Sequence, residues 1–139
     1  MDRIDDLLKS SGLRITPTRQ EVLSILYNSN VALSSQDLEE KISSDVDRIT
    51  LYRTLKSFQE KGIIHKAIDG TDITRFAICK SDCNSHEHRD NHIHFHCQQC
   101  GNTFCMDHIT IPELNVQTPH QVIDVNIIMK GNCETCQMG

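Results

Sequence analysis

Tryptophan is absent from this chain, and aromatic residues make up only 4% of its 139 positions. That length suits one ordinary domain, or two small ones that each lean on something besides a hydrophobic core. No run approaches the roughly 20 apolar residues of a membrane span, and neither the basic n-region nor the apolar h-region of a signal peptide is present. These absences predict a cytoplasmic protein with no membrane partner. Internal repeats are also missing. So is any basic excess: the net charge is −5, which taken whole speaks against nucleic acid. The deficit is uneven, however. Residues 1 to 76 carry 11 Lys and Arg against 12 Asp and Glu, and residues 77 to 139 carry 3 against 7. A local basic face in the first half remains open, and local faces matter more to DNA than the total.

What the chain does have is cysteine. Seven cysteines in an oxidising compartment would suggest disulfides, but the count is odd and there is no export signal. Four of them form two CxxC pairs, Cys97 with Cys100 and Cys133 with Cys136, the spacing of a closed tetrahedral zinc site in a reducing compartment. A redox CxxC is the rival reading. It would sit at a helix N-terminus after a strand, where the thiol pKa is lowered, and neither knuckle has that context. Just before the first knuckle, His92, His94 and His96 alternate with Ile93, Phe95 and Cys97. A strand with this pattern sends imidazoles to one face and a thiol to the other. His92 and His94 could then grip a second metal.

The first half alternates short amphipathic helices with polar breaks. Ile4, Leu7 and Leu8 stripe a helix over Asp2 to Ser11, stopped by Gly12. Thr16-Pro17 is an N-cap with proline at the first helical position, followed by Val22, Leu23 and Leu26 on the buried face. Ser34 and Asp37 open a third helix holding Leu38 and Ile42. A fourth runs from about Asp47 to Gly62, with Leu51, Leu55 and Phe58 facing inward. Its other side carries Arg48, Tyr52 and Lys56 with Arg53 beside them. This stripe is either a solvated face or a DNA-reading one. Its place in the last helix before a hairpin favours DNA. The hairpin follows as Ile64 to Ile68, an Asp69-Gly70 turn, and Ile73 to Cys79. Helices closed by such a hairpin describe a winged helix-turn-helix.

Residues 80–91 are polar and turn-rich and read as a linker. Beyond them the pattern predicts the histidine strand, a strand over Thr103 to Met106, and a long final strand over Gln121 to Lys130 that delivers the second knuckle. The fold class is therefore α+β: a winged-helix domain over residues 1–79, the linker, and a small, mostly antiparallel β domain over residues 92–139 closed by a four-cysteine zinc site.

Four motifs in order resemble the ferric uptake regulator family of metal-dependent repressors. Gly12-Leu13-Arg14-Ile15-Thr16-Pro17-Thr18-Arg19 is similar to its entry motif, and Thr50-Leu51-Tyr52-Arg53-Thr54-Leu55 to its recognition helix. His92-Ile93-His94-Phe95-His96-Cys97-Gln98-Gln99-Cys100-Gly101 resembles its HxHxxCxxCG segment, and Gly131-Asn132-Cys133-Glu134-Thr135-Cys136 its terminal knuckle. The resemblance implies a homodimer. Its winged helices would read an AT-rich inverted-repeat operator, its C-terminal domains would dimerise, and a regulatory metal would sit at the hinge. It also adds Arg14, Arg19 and Thr50 to the candidate DNA contacts.

Departures from the family bear on the metal. Iron- and peroxide-sensing members carry a His before the third helix, where this chain has Ala32, and a carboxylate five residues past the first knuckle, where it has Cys105. Zinc uptake regulators take ligands just after the recognition helix and at the end of the wing, where this chain has His65 and Cys79. The regulatory set implied is His65, Cys79, His92 and His94, with Cys105 as a competing or additional ligand. Thiolate in place of carboxylate favours zinc over iron. A repressor of zinc uptake genes is expected, with an iron or peroxide sensor as the alternative. Cys83, His86, His88, His96 and His108 read as mostly solvated or weak ligands, and His120 has no assignment. A zinc storage or delivery protein would explain the histidines but leave the recognition helix without a purpose. No residue pattern supplies a catalytic constellation or a small-molecule substrate site, so an enzyme is not expected.

Overall fold

The structure, a computed structural model, describes residues 2–43, 45–78, 93–106, 117–122 and 126–138. The first half opens with α1 (Asp2–Ser10) and α2 (Pro17–Tyr27). Gly12 lies between them at φ 75°, a left-handed conformation that ends α1 at no steric cost. Thr16 caps α2, its hydroxyl accepting the Arg19 N–H at 3.2 Å, and Pro17 stands at the first helical position. A two-residue strand β1 (Leu33–Ser34) leads into α3 (Ser35–Lys41). Here Ser34 and Asp37 form a reciprocal capping box, which satisfies two otherwise unpaired amides.

Helix α4 (Arg48–Glu60) is capped by Asp47, whose carboxylate accepts the Thr50 N–H at 2.7 Å. Leu51, Leu55 and Phe58 are buried, as their spacing predicts. The hairpin β2 (Ile64–Ala67) and β3 (Arg75–Ile78) follows. β3 pairs antiparallel with β2 on one side and with β1 on the other, giving the order β1-β3-β2. β1 is too short to carry a period and is missing from the sequence reading. The apolar core gathers Leu8, Val22, Leu23, Leu38, Leu51, Phe58 and Ile64. All its described members lie between Ile4 and Ile78.

The second half holds β4 (Ile93–Cys97), β5 (Thr103–Cys105), β6 (Ile127–Gly131) and a short helix α5 (Glu134–Met138). The sheet order is β5-β4-β6. Among the described residues three of the four strand pairings are antiparallel, but β6 lies parallel to β4, from Ile93 opposite Ile127 to Cys97 opposite Gly131. The long final strand is therefore corrected. Residues 121, 122 and 126 are not strand, because pairing with the five residues of β4 sets the length of β6. α5 was not foreseen either, and it corrects one expectation: Cys133 does stand at a helix N-terminus after a strand. It is the gathering of all four cysteines that sets the knuckles apart from a redox pair. The expected linker over residues 80–91 lies outside the described residues, as do the candidate ligands Cys79 and His92. No helix among the described residues is long and apolar enough to cross a membrane.

Candidate metal centres and the outer face of α4

The parallel pairing brings the two knuckles to one end of the sheet. Cys97 ends β4, and Cys133 follows β6 by two residues. The four Sγ atoms of Cys97, Cys100, Cys133 and Cys136 lie within 4.8 Å of one another. Cys97 and Cys136 are 3.7 Å apart, and Cys100 and Cys133 3.8 Å. A tetrahedral zinc with bonds of about 2.3 Å to each sulfur sets neighbouring sulfurs about 3.8 Å apart. The donor set and its spacing fit that ion.

Backbone amides point the same way. The N–H groups of Cys100 and Cys133 donate to Cys97 Sγ at 3.4 and 3.3 Å. These bonds, the Cys100 amide foremost, hold the Cys97 thiol down to about 5 despite its burial. Cys136 moves the other way. Hydrogen bonding to Cys133, then burial and the neighbouring thiols, push it up to about 12. One sulfur is thus poised as thiolate, and another holds its proton until a cation replaces it.

A second cluster joins the two halves. His65 from β2 with His94 from β4 and Cys105 from β5 offers one ligand atom each, all within 4.8 Å. His65 Nε2 and Cys105 Sγ are 3.5 Å apart, and the two imidazole centroids are 5.8 Å apart. In a tetrahedral site with Zn–N of about 2.0 Å and Zn–S of about 2.3 Å, the N···S edge is about 3.5 Å. Both histidines are buried and Cys105 is half-buried. Cys105, expected only as a competing or additional ligand, stands beside His65 because β5 pairs it directly across from His94. His96, expected to be solvated or a weak ligand, is not solvated. Its side chain is 14% exposed, and Nδ1 lies 3.0 Å from the Thr103 hydroxyl. The sequence hides this contact, since Thr103 is met only through pairing. His120 is exposed, and Cys83, His86, His88 and His108 lie outside the described residues.

The outer face of α4 presents Arg48, Thr50, Tyr52, Arg53 and Lys56 to solvent. Tyr52 is 50% exposed, and Ile49, which the sequence reading passed over, is 62% exposed. An apolar pair standing proud on a basic helix is the kind of group that contacts thymine methyls. Arg48 also reaches Glu39 of α3 at 3.0 Å. The Thr50 side chain and amide hold the Asp47 carboxyl below its usual range. Arg14 is exposed in the α1–α2 turn, and Arg19 donates to the Arg14 carbonyl at 2.7 Å. Tyr52 and Lys56 also line a shallow groove between α4 and the hairpin, with Gln59, Lys66 and Thr74. The face as a whole is an open surface.

The family model described as the ferric uptake regulator family matches residues 10–130. The chain belongs to the ferric uptake regulator family. It is a metal-responsive transcriptional regulator and not an enzyme. A peroxide-responsive repressor, PerR of Staphylococcus aureus, is 30% identical over 137 residues, covering 94% of this chain and 86% of that one. Among solved structures, the Helicobacter pylori ferric uptake regulator aligns with a TM-score of 0.59 at 22% identity, covering 98% of this chain and 90% of that one. A zinc uptake regulator complexed with zinc and DNA aligns at 0.61 and 22% identity, covering 99% and 92%. At such identities the two structures speak for the fold.

Proposed function

We infer that this family member is a cytoplasmic zinc-responsive repressor that acts as a homodimer on an AT-rich inverted-repeat operator of zinc uptake genes. A winged-helix domain over residues 1–79 and a metal-binding dimerisation domain over residues 92–139 are joined by residues 80–91. The observation that carries the zinc reading is the 3.5 Å approach of Cys105 Sγ to His65 Nε2. A thiolate beside neutral imidazoles suits a borderline-soft tetrahedral ion better than Fe(II), which favours more oxygen donors. His65, His94 and Cys105 supply three positions, and Cys79 or His92 the fourth. His65 belongs to the wing hairpin and the other two to the sheet, so sharing one ion holds the hairpin at a single angle to the sheet. Two linked winged helices at a fixed angle match two half-sites. Arg14, Arg19, Arg48, Thr50, Arg53 and Lys56 hold phosphates or base edges, with Tyr52 and Ile49 against bases.

The peroxide-responsive relative favours a second reading, an iron-dependent or peroxide-sensing regulator. The deciding experiment adds Zn(II) or Fe(II) anaerobically to protein carrying only its four-cysteine zinc, and follows binding to an AT-rich palindromic duplex at buffered free metal. Zinc should switch binding on. Activation by iron with zinc ineffective at every buffered concentration overturns the zinc assignment. A duplex that never shifts with either metal overturns the AT-rich palindrome as the operator.

A further inference from the structure

The Asp69-Gly70 turn at the tip of the hairpin departs from what a turn usually offers. Ile68 before it is 43% exposed, yet Asp69 is 2% exposed and turned against the second half. Its carboxylate is saturated with donors. One oxygen accepts the Thr71 N–H at 2.9 Å and the Thr71 hydroxyl at 2.6 Å. The other accepts the Arg75 guanidinium and, at 2.6 Å, the hydroxyl of Thr103 in β5. Thr103 is fully buried. Its carbonyl also accepts the Ala32 N–H at 2.7 Å. With its hydroxyl proton given to Asp69, its oxygen accepts from His96 Nδ1 at 3.0 Å. The turn itself sits on the sheet, since a Cβ at Gly70 would come within 3.5 Å of Lys130. Burial alone would raise the Asp69 carboxyl. Hydrogen bonds from Thr103 and Thr71, with the Arg75 charge, hold it down to about 2 instead.

The register gives this contact its significance. His94 stands opposite Cys105, and His96 opposite Thr103. Directly paired residues share a face, so these are successive pairs on the face turned to the hairpin, about 7 Å apart along the strand. His65 meets the first pair and Asp69 the second. The hairpin is therefore held against β4 and β5 at two points, one made of candidate metal ligands and the other of a carboxylate hydrogen-bonded to a hydroxyl.

We propose that Asp69 and Thr103 are positioning residues for the metal response: their hydrogen bond seats the wing so that His65 stands in reach of His94 and Cys105 before an ion is bound. The proposal rests on His65, His94 and Cys105 being the regulatory site. Without the bond, forming that site has to draw the hairpin in. The bond therefore raises metal affinity, and metal in turn stabilises the bond. The role is indirect, since neither residue touches the ligands in the described contacts.

The test uses full-length protein with its four-cysteine zinc in place, as wild type, Thr103→Val, Thr103→Ser and Asp69→Asn. Zinc affinity at the second site is measured by competition with a chelator, operator binding is followed against buffered free zinc, and exchange of the Thr71 amide is read before zinc is added. Thr103→Val and Asp69→Asn are expected to weaken second-site zinc about 10- to 100-fold, the scale of supporting hydrogen bonds around metal sites. The free zinc for half-maximal operator binding should rise by the same factor, with the plateau at saturating zinc unchanged. Thr103→Ser, which keeps the hydroxyl, should restore most of the affinity. Unchanged zinc affinity in both Thr103→Val and Asp69→Asn overturns the proposal. So does an equal fall of midpoint and plateau with no rescue by serine, which marks a merely structural role. If wild type takes up no second ion, the regulatory-site reading fails. The Thr71 amide then decides the contact alone: faster exchange in Thr103→Val upholds the seating bond, and unchanged exchange removes it.

Discussion

Cys133→Ser should unfold the second half of the molecule and leave the first half standing. The apolar core has all its described members between Ile4 and Ile78. In the described second half the buried apolar side chains are Ile93, Cys97 and Cys133, and two of these belong to the four-cysteine cluster. Burying Ile93 contributes about 2 kcal/mol. A structural zinc in small thiolate and imidazole sites contributes about 10–16 kcal/mol near neutral pH, as much as the whole 5–15 kcal/mol stability of a typical domain. Serine keeps the size of the side chain and removes the thiolate. Sulfurs that match a tetrahedron then lose one corner, and the ion is released. Zinc per chain is measured by elemental analysis, and amide exchange is read strand by strand. The expected outcome is zinc loss with fast exchange across β4, β5 and β6, while α2 and α4 stay protected. A variant that loses the zinc but keeps wild-type protection in β4 and β6 would refute the reasoning, because it would mean that packing holds the sheet.

Two further outcomes follow from the same geometry. Tyr52→Ala and Arg53→Ala should each lose operator binding in a mobility-shift titration while zinc content and thermal midpoint stay unchanged. The slope of log affinity against log salt should drop by about one for Arg53→Ala and not for Tyr52→Ala. Zinc uptake by the four-cysteine site at pH 7 should release protons, Cys136 among the donors, in calorimetry compared across buffers. Cys97, held at about 5, is already a thiolate above that pH and adds its own proton to the count only below it. Zinc affinity should therefore fall on acidification, and more steeply once pH drops through 5. An affinity that does not vary between pH 7 and pH 5 would count against thiolate ligation.

Local chemistry made much of the first half legible. Thr16-Pro17, the Ser34 and Asp37 box and Asp47 each fix a helix start by satisfying amides that the chain itself leaves open, and such signals need no distant partner. The CxxC pairs were legible for the same reason. What escaped reading depends on partners far away in sequence. β1 exists because β3 lies beside it, and the short β6 has its length from β4. Asp69 reads as a solvated turn residue until Thr103 arrives from 34 positions away. His96 looks like part of a histidine run until cross-strand pairing sets it on Thr103. The cluster of His65, His94 and Cys105 was half legible. His65 came from family position and His94 already from the alternation of its strand, whereas the standing of Cys105 needed the β4–β5 register.

The parallel seating of β6 beside β4 bears on how the molecule assembles. Parallel neighbours cannot be joined by a tight turn, so the chain must leave the sheet and return. Cys100 and Cys133 are 33 positions apart, and Cys97 and Cys136 are 39 apart. Bringing such ends together costs loop entropy before any ladder bond repays it. Each knuckle is by itself a bidentate clip that can take up an ion while the other is still distant. The first knuckle to load becomes a bait for the second, and its closure docks β6 in register. Sheet formation and metal capture should then be coupled, and refolding of this half should speed up as zinc is added.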